Sequence, residues 1–388
     1  MTRIGAEIWA ADGFAALRGK RVGLVMNQAS MLSDFTSTLD AMLAAKVDLR
    51  TVFGPQHGLW GHTQDNMIEW EGEGETGSGF RILSLYGEHR EPTDAMLAGL
   101  DVLVVDLPDV GARYYTFIWT LALCMRACSR VGLPVVVLDR PNPIGGEVVE
   151  GPRMRPEMES FVGLFPIVAR HGMTIGEIAR WLQATQFPKC ELSVVEMEGW
   201  TRNMHWPQTG RPWAMPSPNM PTYETALVYS GMCLFEGTKM SEGRGTTRPF
   251  EILGAPGVDG ARLAALLNAE QFPGVVFRPY SFEPTFQKHA RQICGGVHWH
   301  VTDPFALESV EVTFVMLQLL WRHWPDVAIH QDPPYEYVWD RRPLDLLTGD
   351  PALTAWIEEG GPREELEDRL DADASAWRAE RQPHLLYG

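Results

Sequence analysis

Residues 101–139, DVLVVDLPDVGARYYTFIWTLALCMRACSRVGLPVVVLD, contain a strand, a helix and a second strand in one stretch. Asp101 to Asp106 and Leu133 to Asp139 are short apolar runs rich in Val and bounded by Asp, Gly or Pro, the pattern of strands buried on both faces. Tyr115 to Arg130, between them, reads as a helix. Such a unit makes the two strands parallel and lays the helix over one face of their sheet.

The same alternation extends towards the N-terminus. Arg21 to Met26 (RVGLVM) and Asp48 to Phe53 (DLRTVF) read as buried strands, and Ser37 to Ala45 and Glu91 to Ala98 as helices. Towards the C-terminus a helix is predicted at Thr174 to Thr185 and a strand at Glu191 to Met197. The predicted fold class is therefore α/β, with a Rossmann-like parallel sheet in residues 1–225. The Trp-, Pro- and Asn-rich stretch 199–222 has no period and reads as an ordered loop that ends this unit. A smaller α/β unit, 226–388, would hold strands at Gly274 to Pro279 and Gly295 to Val301 and a helix from Pro304 to Trp324. Further helices follow at Pro351 to Glu359 and at Arg363 to Leu370, and then a terminal Trp377 to Tyr387 segment. The Glu/Gly run 69–79 reads as a flap or extended surface loop.

Composition narrows the class of partner. With 388 residues, 33 Lys plus Arg and 50 Asp plus Glu, the chain carries a net charge of -17, a field that repels nucleic acid and anionic membrane surfaces. The five cysteines are scattered without a CxxC pair, which fits reduced, buried thiols. The first residues lack the apolar core of a signal peptide, and no run reaches the length of a membrane span, so a cytoplasmic protein is expected.

Ligands of open α/β sheets bind beyond the carboxyl ends of the strands, so the loops there are the first place to look. They present Asn27 after the first strand, Gln56 and His57 after the second, Asp109, Arg113 and Tyr115 after the third, and Asp139 and Asn142 after the fourth. Arg113 has two uses open to it, pairing with a nearby Asp or gripping a substrate carboxylate. Asp139 is either the partner of Arg140 in a turn or a ligand carboxylate. His57, His62 and Asp65 are metal-ligand types whose spacing matches no metal signature, and no metal is expected. A second cluster, Ser241-Glu242-Gly243-Arg244-Gly245-Thr246, concentrates carboxylate, guanidinium and hydroxyl groups around two glycines and suits a loop that holds a polar ligand. The chain has no G-x-G-x-x-G after its first strand, no G-x-x-x-x-G-K-[ST] and no G-x-S-x-G, so dinucleotide, nucleotide and serine-hydrolase schemes fall away and no cofactor is expected. A carbohydrate or other polar small molecule remains.

These motifs, taken in order, resemble a bacterial family first catalogued as a domain of unknown function and typified by exo-β-N-acetylmuramidases. The resemblance is carried by Gly19-Lys20-Arg21-Val22-Gly23-Leu24 with Asn27, Pro55-x-His57-Gly58, Leu85-Tyr86-Gly87, Asp109 through Thr116, Asp139-Arg140-Pro141-Asn142-Pro143, Phe235-Glu236-Gly237-Thr238, Ser241 through Pro249, and the closing Leu385-Leu386-Tyr387. It implies a Rossmann-like domain without nucleotide, a smaller C-terminal α/β domain and an interdomain cleft. It also implies cofactor-free release of terminal N-acetylmuramic acid from cell-wall fragments, with the lactyl carboxylate of that sugar meeting Arg113 and Arg244. Ser241 and Thr246 would add contacts to the sugar.

The family loop is usually Pro-Glu-His-Gly, and its Glu is the leading catalytic candidate; this chain has Gln56. An amide neither gives nor takes a proton, and losing a general acid or base costs about 10²- to 10⁴-fold in rate. In a substrate-assisted reaction the acetamido group of the sugar is the nucleophile, Gln56 and Tyr115 would orient it, and Glu69, Glu236 or Glu242 would supply the acid. The alternatives are a sugar-binding homologue that lost its acid at Gln56, and a hydrolase of another class using His57, His62 and Asp65.

Overall fold

The computed structural model describes residues 1–64, 67–72, 74–75, 79–327 and 330–388. Asp65 lies outside them.

The first unit is built on strands β1 (Arg21–Met26), β2 (Asp48–Gly54), β3 (Gly74–Glu75), β4 (Arg81–Ser84), β5 (Val102–Asp106) and β6 (Val135–Leu138). A hairpin of β7 (Glu150–Arg153) and β8 (Val168–Arg170) follows, and then β9 (Leu192–Val195) closes the main sheet. The sheet order is β3-β4-β2-β1-β5-β6-β9; six strands are parallel, and the two-residue β3 pairs antiparallel at the edge. The order reverses between β1 and β5, the topological switch point of a Rossmann sheet. Val102, Leu103, Val104 and Val105 are all buried, as an apolar run covered on both faces must be.

The helix predicted between β5 and β6 spans Phe117–Val131 and buries eleven of its fifteen residues. It stops at Gly132, whose left-handed backbone, φ 71°, sends its N–H back to Cys128 O. Large side chains such as Ile118, Trp119 and Leu121 pack it on the sheet, each worth about 1.5–3 kcal/mol of burial. Part of the Glu/Gly run is held against the sheet rather than forming a free flap. Trp70 Nε1 donates to Pro55 O at 3.0 Å, and Gly74 and Glu75 pair with β4.

The second unit holds an antiparallel sheet of β10 (Ile252–Ala255), β11 (Val275–Phe282) and β12 (Cys294–Val301) in the order β10-β12-β11, backed by helix Gly260–Ala269, while helix Ser309–His323 packs on helix Tyr223–Met232. A boundary after 225 falls inside the helix Tyr223–Met232, which is buried along almost its whole length and so shows no amphipathic period. The helix predicted at Pro351 to Glu359 is observed with those bounds, and the one predicted at Arg363 to Leu370 runs on to Arg381, taking in the start of the terminal segment, and returns to the first unit. Trp377 packs edge-on to Trp181 at 5.3 Å between ring centres, and its Nε1 donates to His171 O at 2.9 Å. All five cysteines are free and buried, and no helix among the described residues is long and apolar enough to cross a membrane.

Candidate active site

The switch-point crevice is narrowed by the chain itself to a largely apolar pocket, with Asp109, Arg140 and Arg211 in its lining. Asn27 Nδ2 donates to Pro216 O at 2.7 Å, Arg211 pairs with Glu7 at 2.7 Å, and Arg140 Nη2 reaches Asp106 Oδ2 at 2.8 Å. The polar cavity lies beside it, where the loops after β2 and β5 meet the second unit. It is a tight cavity of about 30 Å³, and every residue of its lining is buried.

From the first unit come Gln56 and His57 after β2, and Tyr114, Tyr115 and Thr116 after β5. Ser217 and Asn219 reach in from the loop before residue 223. From the second unit come Glu236 and Arg244, and, from a turn late in the chain, Tyr335 and Glu336. Gln56, His57, Tyr115, Glu236 and Arg244 are therefore brought together as the sequence suggested. Glu336, Tyr335, Ser217 and Asn219 were not anticipated. Tyr335 and Glu336 sit in the aperiodic stretch QDPPYEYVWD (331–340), whose one local signal is a pair of aromatic residues flanking a carboxylate.

The surroundings push the two cavity carboxyl groups in opposite directions. Burial pushes Glu236 up, but Arg244 and the Tyr335 hydroxyl outweigh it and hold its carboxyl below the usual range. Arg244 Nη2 and Tyr335 Oη each donate to it at 2.6 Å. Burial also pushes Glu336 up, here to about 7; the Tyr86 hydroxyl, the nearby Arg90 charge and Gln56 restrain the rise, and the charge of Glu236 adds to it. Tyr86 Oη donates to Glu336 Oε2 at 2.9 Å. The same hydroxyl accepts from Gln56 Nε2 at 3.2 Å, and Gln56 Oε1 accepts from Thr116 Oγ1 at 2.6 Å. Environments that pull two carboxyls apart are how one site keeps an acid and an ionised partner at the same pH.

His57 has a left-handed backbone, φ 70°, and burial lowers its imidazole to about 4. Nδ1 lies 2.7 Å from Thr63 O, which places the proton on that nitrogen and leaves Nε2 as an acceptor. Arg244 owes its place to the backbone around it. Gly243 and Gly245 adopt φ 84° and 79°, and a Cβ at 245 would stand 2.6 Å from Phe286 O.

Other expected residues lie elsewhere. Glu242 is outside the cavity, paired with Lys288 at 2.8 Å and Arg244 at 3.3 Å, so it fixes the arginine rather than facing a sugar. Glu69 is about half exposed and pairs with Arg90 at 3.5 Å. Arg113 is fully buried away from the cavity and donates to Leu347 O at 2.6 Å. Asp109 faces His171 at 3.1 Å and accepts from Gly111 N, while Asn142 binds Met173 O and Ile144 N. Asp139 accepts from Thr174, Gly176, Arg140 N and Tyr387, and burial lifts it to about 7. Each of these polar groups ties one loop to another, because a buried polar atom left without a partner is costly. Ser241 bridges to Gly254 through its backbone, and Thr246 bonds Gly243 O through its hydroxyl. His62 is outside the cavity lining, and no group of three ligand-type side chains converges among the described residues.

A wide groove of about 790 Å³ adjoins the cavity and shares Asn219 with it. Thr246, Arg248, Tyr280, Phe282 and Phe286 line it. Asn219 Nδ2 donates to Gln64 O at 2.9 Å, tying the two sides of the junction.

Fold and site together define a two-unit α/β protein with a closed, carboxyl-bearing pocket at the edge of a Rossmann-like sheet. The model of the N-terminal part of exo-β-N-acetylmuramidase NamZ matches residues 22–224, and that of the C-terminal part matches residues 227–387. The chain belongs to the exo-β-N-acetylmuramidase family. It is 39% identical over 386 residues to the peptidoglycan β-N-acetylmuramidase NamZ of Bacillus subtilis, covering 99% of this chain and 91% of that protein. A crystal structure of a DUF1343-family protein from Bacteroides fragilis superposes with a TM-score of 0.89 at 33% identity, covering 100% of this chain and 99% of the other. A second from the same organism gives 0.76 at 28% identity, with the same coverage.

Proposed function

We propose that this chain is a glycoside hydrolase that releases a terminal N-acetylmuramic acid, or a closely related amino sugar, from peptidoglycan fragments. The observation that carries the reading is a cavity lined by two buried carboxyl groups, Glu236 bonded by Arg244 and Tyr335 and Glu336 bonded by Tyr86, set beside an open groove. The groove takes the glycan, and its terminal sugar is placed against the polar wall that Gln56, Glu236, Arg244 and Glu336 form at the groove's end. That placement is what an exo-acting enzyme needs. The relative from Bacillus subtilis named for this activity supports the choice of sugar.

Arg244, which lines the cavity while paired with Glu236 and Glu242, is the cation that meets the lactyl carboxylate, and Arg113 serves the fold instead. His57 accepts a sugar hydroxyl through Nε2, and Tyr115 and Gln56 orient the acetamido group. Glu236 stays ionised and stabilises positive charge as it develops at the reacting sugar. The division of labour between residues 1–225 and 226–388 follows, with each unit supplying one wall. Five free thiols suit a reducing cytoplasm and a role in cell-wall recycling.

The test is incubation with an aryl β-N-acetylmuramide and, separately, with the corresponding N-acetylglucosaminide, which lacks the lactyl group. Release of muramic acid with little glucosaminide cleavage is the expected result. Cleavage of the glucosaminide alone would remove the lactyl-recognition reading. Calorimetric binding of free N-acetylmuramic acid without turnover of either glycoside would favour the sugar-binding alternative.

A further inference from the structure

Position 56 carries an amide, so the cavity needs its acid from another residue. Glu69 is solvent-exposed and stands outside it, and Glu242 is clamped by Lys288 and Arg244 outside it. Glu236 lines it but accepts from Arg244 and Tyr335, donors that favour the carboxylate over the acid. Glu336 differs in each respect. It lines the cavity, it is buried, and its bonded neighbours are a phenol and an amide rather than a cation.

The backbone supports the same residue. Tyr335 and Val338 exchange both backbone hydrogen bonds, and the two residues between them, Glu336 and Tyr337, have φ 45° and 64°. This is the pattern of a mirror-image tight turn, which favours Asn and Gly at its centre and strains other residues. Here the turn is anchored from the first unit. Tyr337 Oη donates to Met67 O at 3.1 Å, the Arg90 guanidinium covers the Tyr337 ring at 4.1 Å, and Tyr86 binds Glu336. A strained turn tied down on three sides delivers a single carboxyl group to the side of the cavity where Gln56 stands.

We propose that Glu336 is the general acid and base of the reaction, brought from the second unit to the Tyr86 hydroxyl that also binds Gln56. The assignment rests on the hydrolase reading above. In the first step Glu336 gives its proton to the glycosidic oxygen as the bond from C1 to that oxygen breaks, and the leaving sugar departs as an alcohol. The acetamido carbonyl oxygen of the bound sugar bonds to C1, and the resulting oxazolinium cation is balanced by the Glu336 carboxylate. In the second step water gives a proton to Glu336 and its hydroxyl to C1, and the bond from the acetamido oxygen to C1 breaks. Glu336 ends protonated, and one water has been consumed.

The experiment compares the wild-type chain with Glu336→Gln on two substrates, a muramyl disaccharide with a sugar leaving group and an aryl muramide whose phenolate needs little protonation. The variant should lose about 10²- to 10⁴-fold on the disaccharide and far less on the aryl glycoside. Its kcat/KM should also lose the alkaline limb that the wild type shows near pH 7. Tyr86→Phe removes a donor that favours the ionised form, so it should move that limb to higher pH; this reading is available even if Glu336→Gln fails to fold. An active wild type with a Glu336→Gln variant within a few-fold on both substrates overturns the assignment and leaves the proposed function standing. So does an equal loss on both with an unchanged alkaline limb. A Tyr86→Phe variant that leaves the limb in place also overturns it. A wild type inert to both glycosides overturns the proposed function and this assignment with it.

Discussion

The hydroxyl of Tyr387, the penultimate residue, donates to Asp139 Oδ2 at 2.6 Å and accepts from Met197 N at 2.9 Å. The end of the chain is thereby fastened to the carboxyl end of β6 in the first unit. Tyr387→Phe should destabilise the protein by about 1.5–3 kcal/mol, because Met197 N–H loses its acceptor and a buried carboxyl loses a donor. The loss should also depend on pH. Burial lifts Asp139 to about 7 and the Tyr387 hydrogen bond restrains that rise, so the variant carboxyl rises further. A raised folded-state value for an acid means stability that is complete below the unfolded value near 4 and lost as pH rises through the folded value. Urea denaturation should therefore show a larger deficit at about pH 8.5 than at about pH 5; equal deficits would contradict the ionisation of Asp139.

Arg244 joins Glu236 and Glu242 inside the protein. Arg244→Met leaves two buried carboxyls short of a cation and should cost about 3–5 kcal/mol in chemical denaturation. With the guanidinium gone, the Glu236 carboxyl rises, and the acid limb of kcat/KM should move to higher pH. Arg244→Lys, which keeps the charge, should shift the limb less.

Tyr280 lines the groove and not the cavity. Tyr280→Ala should raise KM for a muramyl disaccharide by roughly fivefold, about 1 kcal/mol. The aryl muramide, which occupies little beyond the cavity, should be turned over as before. Parallel losses on both substrates would place the leaving sugar elsewhere.

The five cysteines are buried, and burial raises each thiol, to about 11 at Cys190 and Cys294. A thiol reacts as its thiolate. An aromatic disulfide reagent should therefore modify none of them rapidly in the native protein and all five after unfolding.

The sheet was legible because its strands are buried on both faces and so appear as apolar runs. The runs around Leu24, Val104 and Val136 each lie in an observed strand, and their parallel order put Gln56, His57 and Tyr115 on one edge before any coordinates. Helix Tyr223–Met232 was missed because it is apolar all round, and a buried helix has no face for periodicity to show.

The site was legible only in its residue types. Sequence alone established the α/β class, the family resemblance and the absence of an ionisable group at position 56, since each depends on local pattern. Which carboxyl replaces it depends on contacts between residues far apart, such as Tyr86 and Glu336, 250 positions from each other. Burial, the reach of Arg244 to Glu236, and the Tyr86 hydroxyl on Glu336 set the two carboxyls apart, because desolvation and charge pairing act through space and leave no mark on neighbouring residues in the chain.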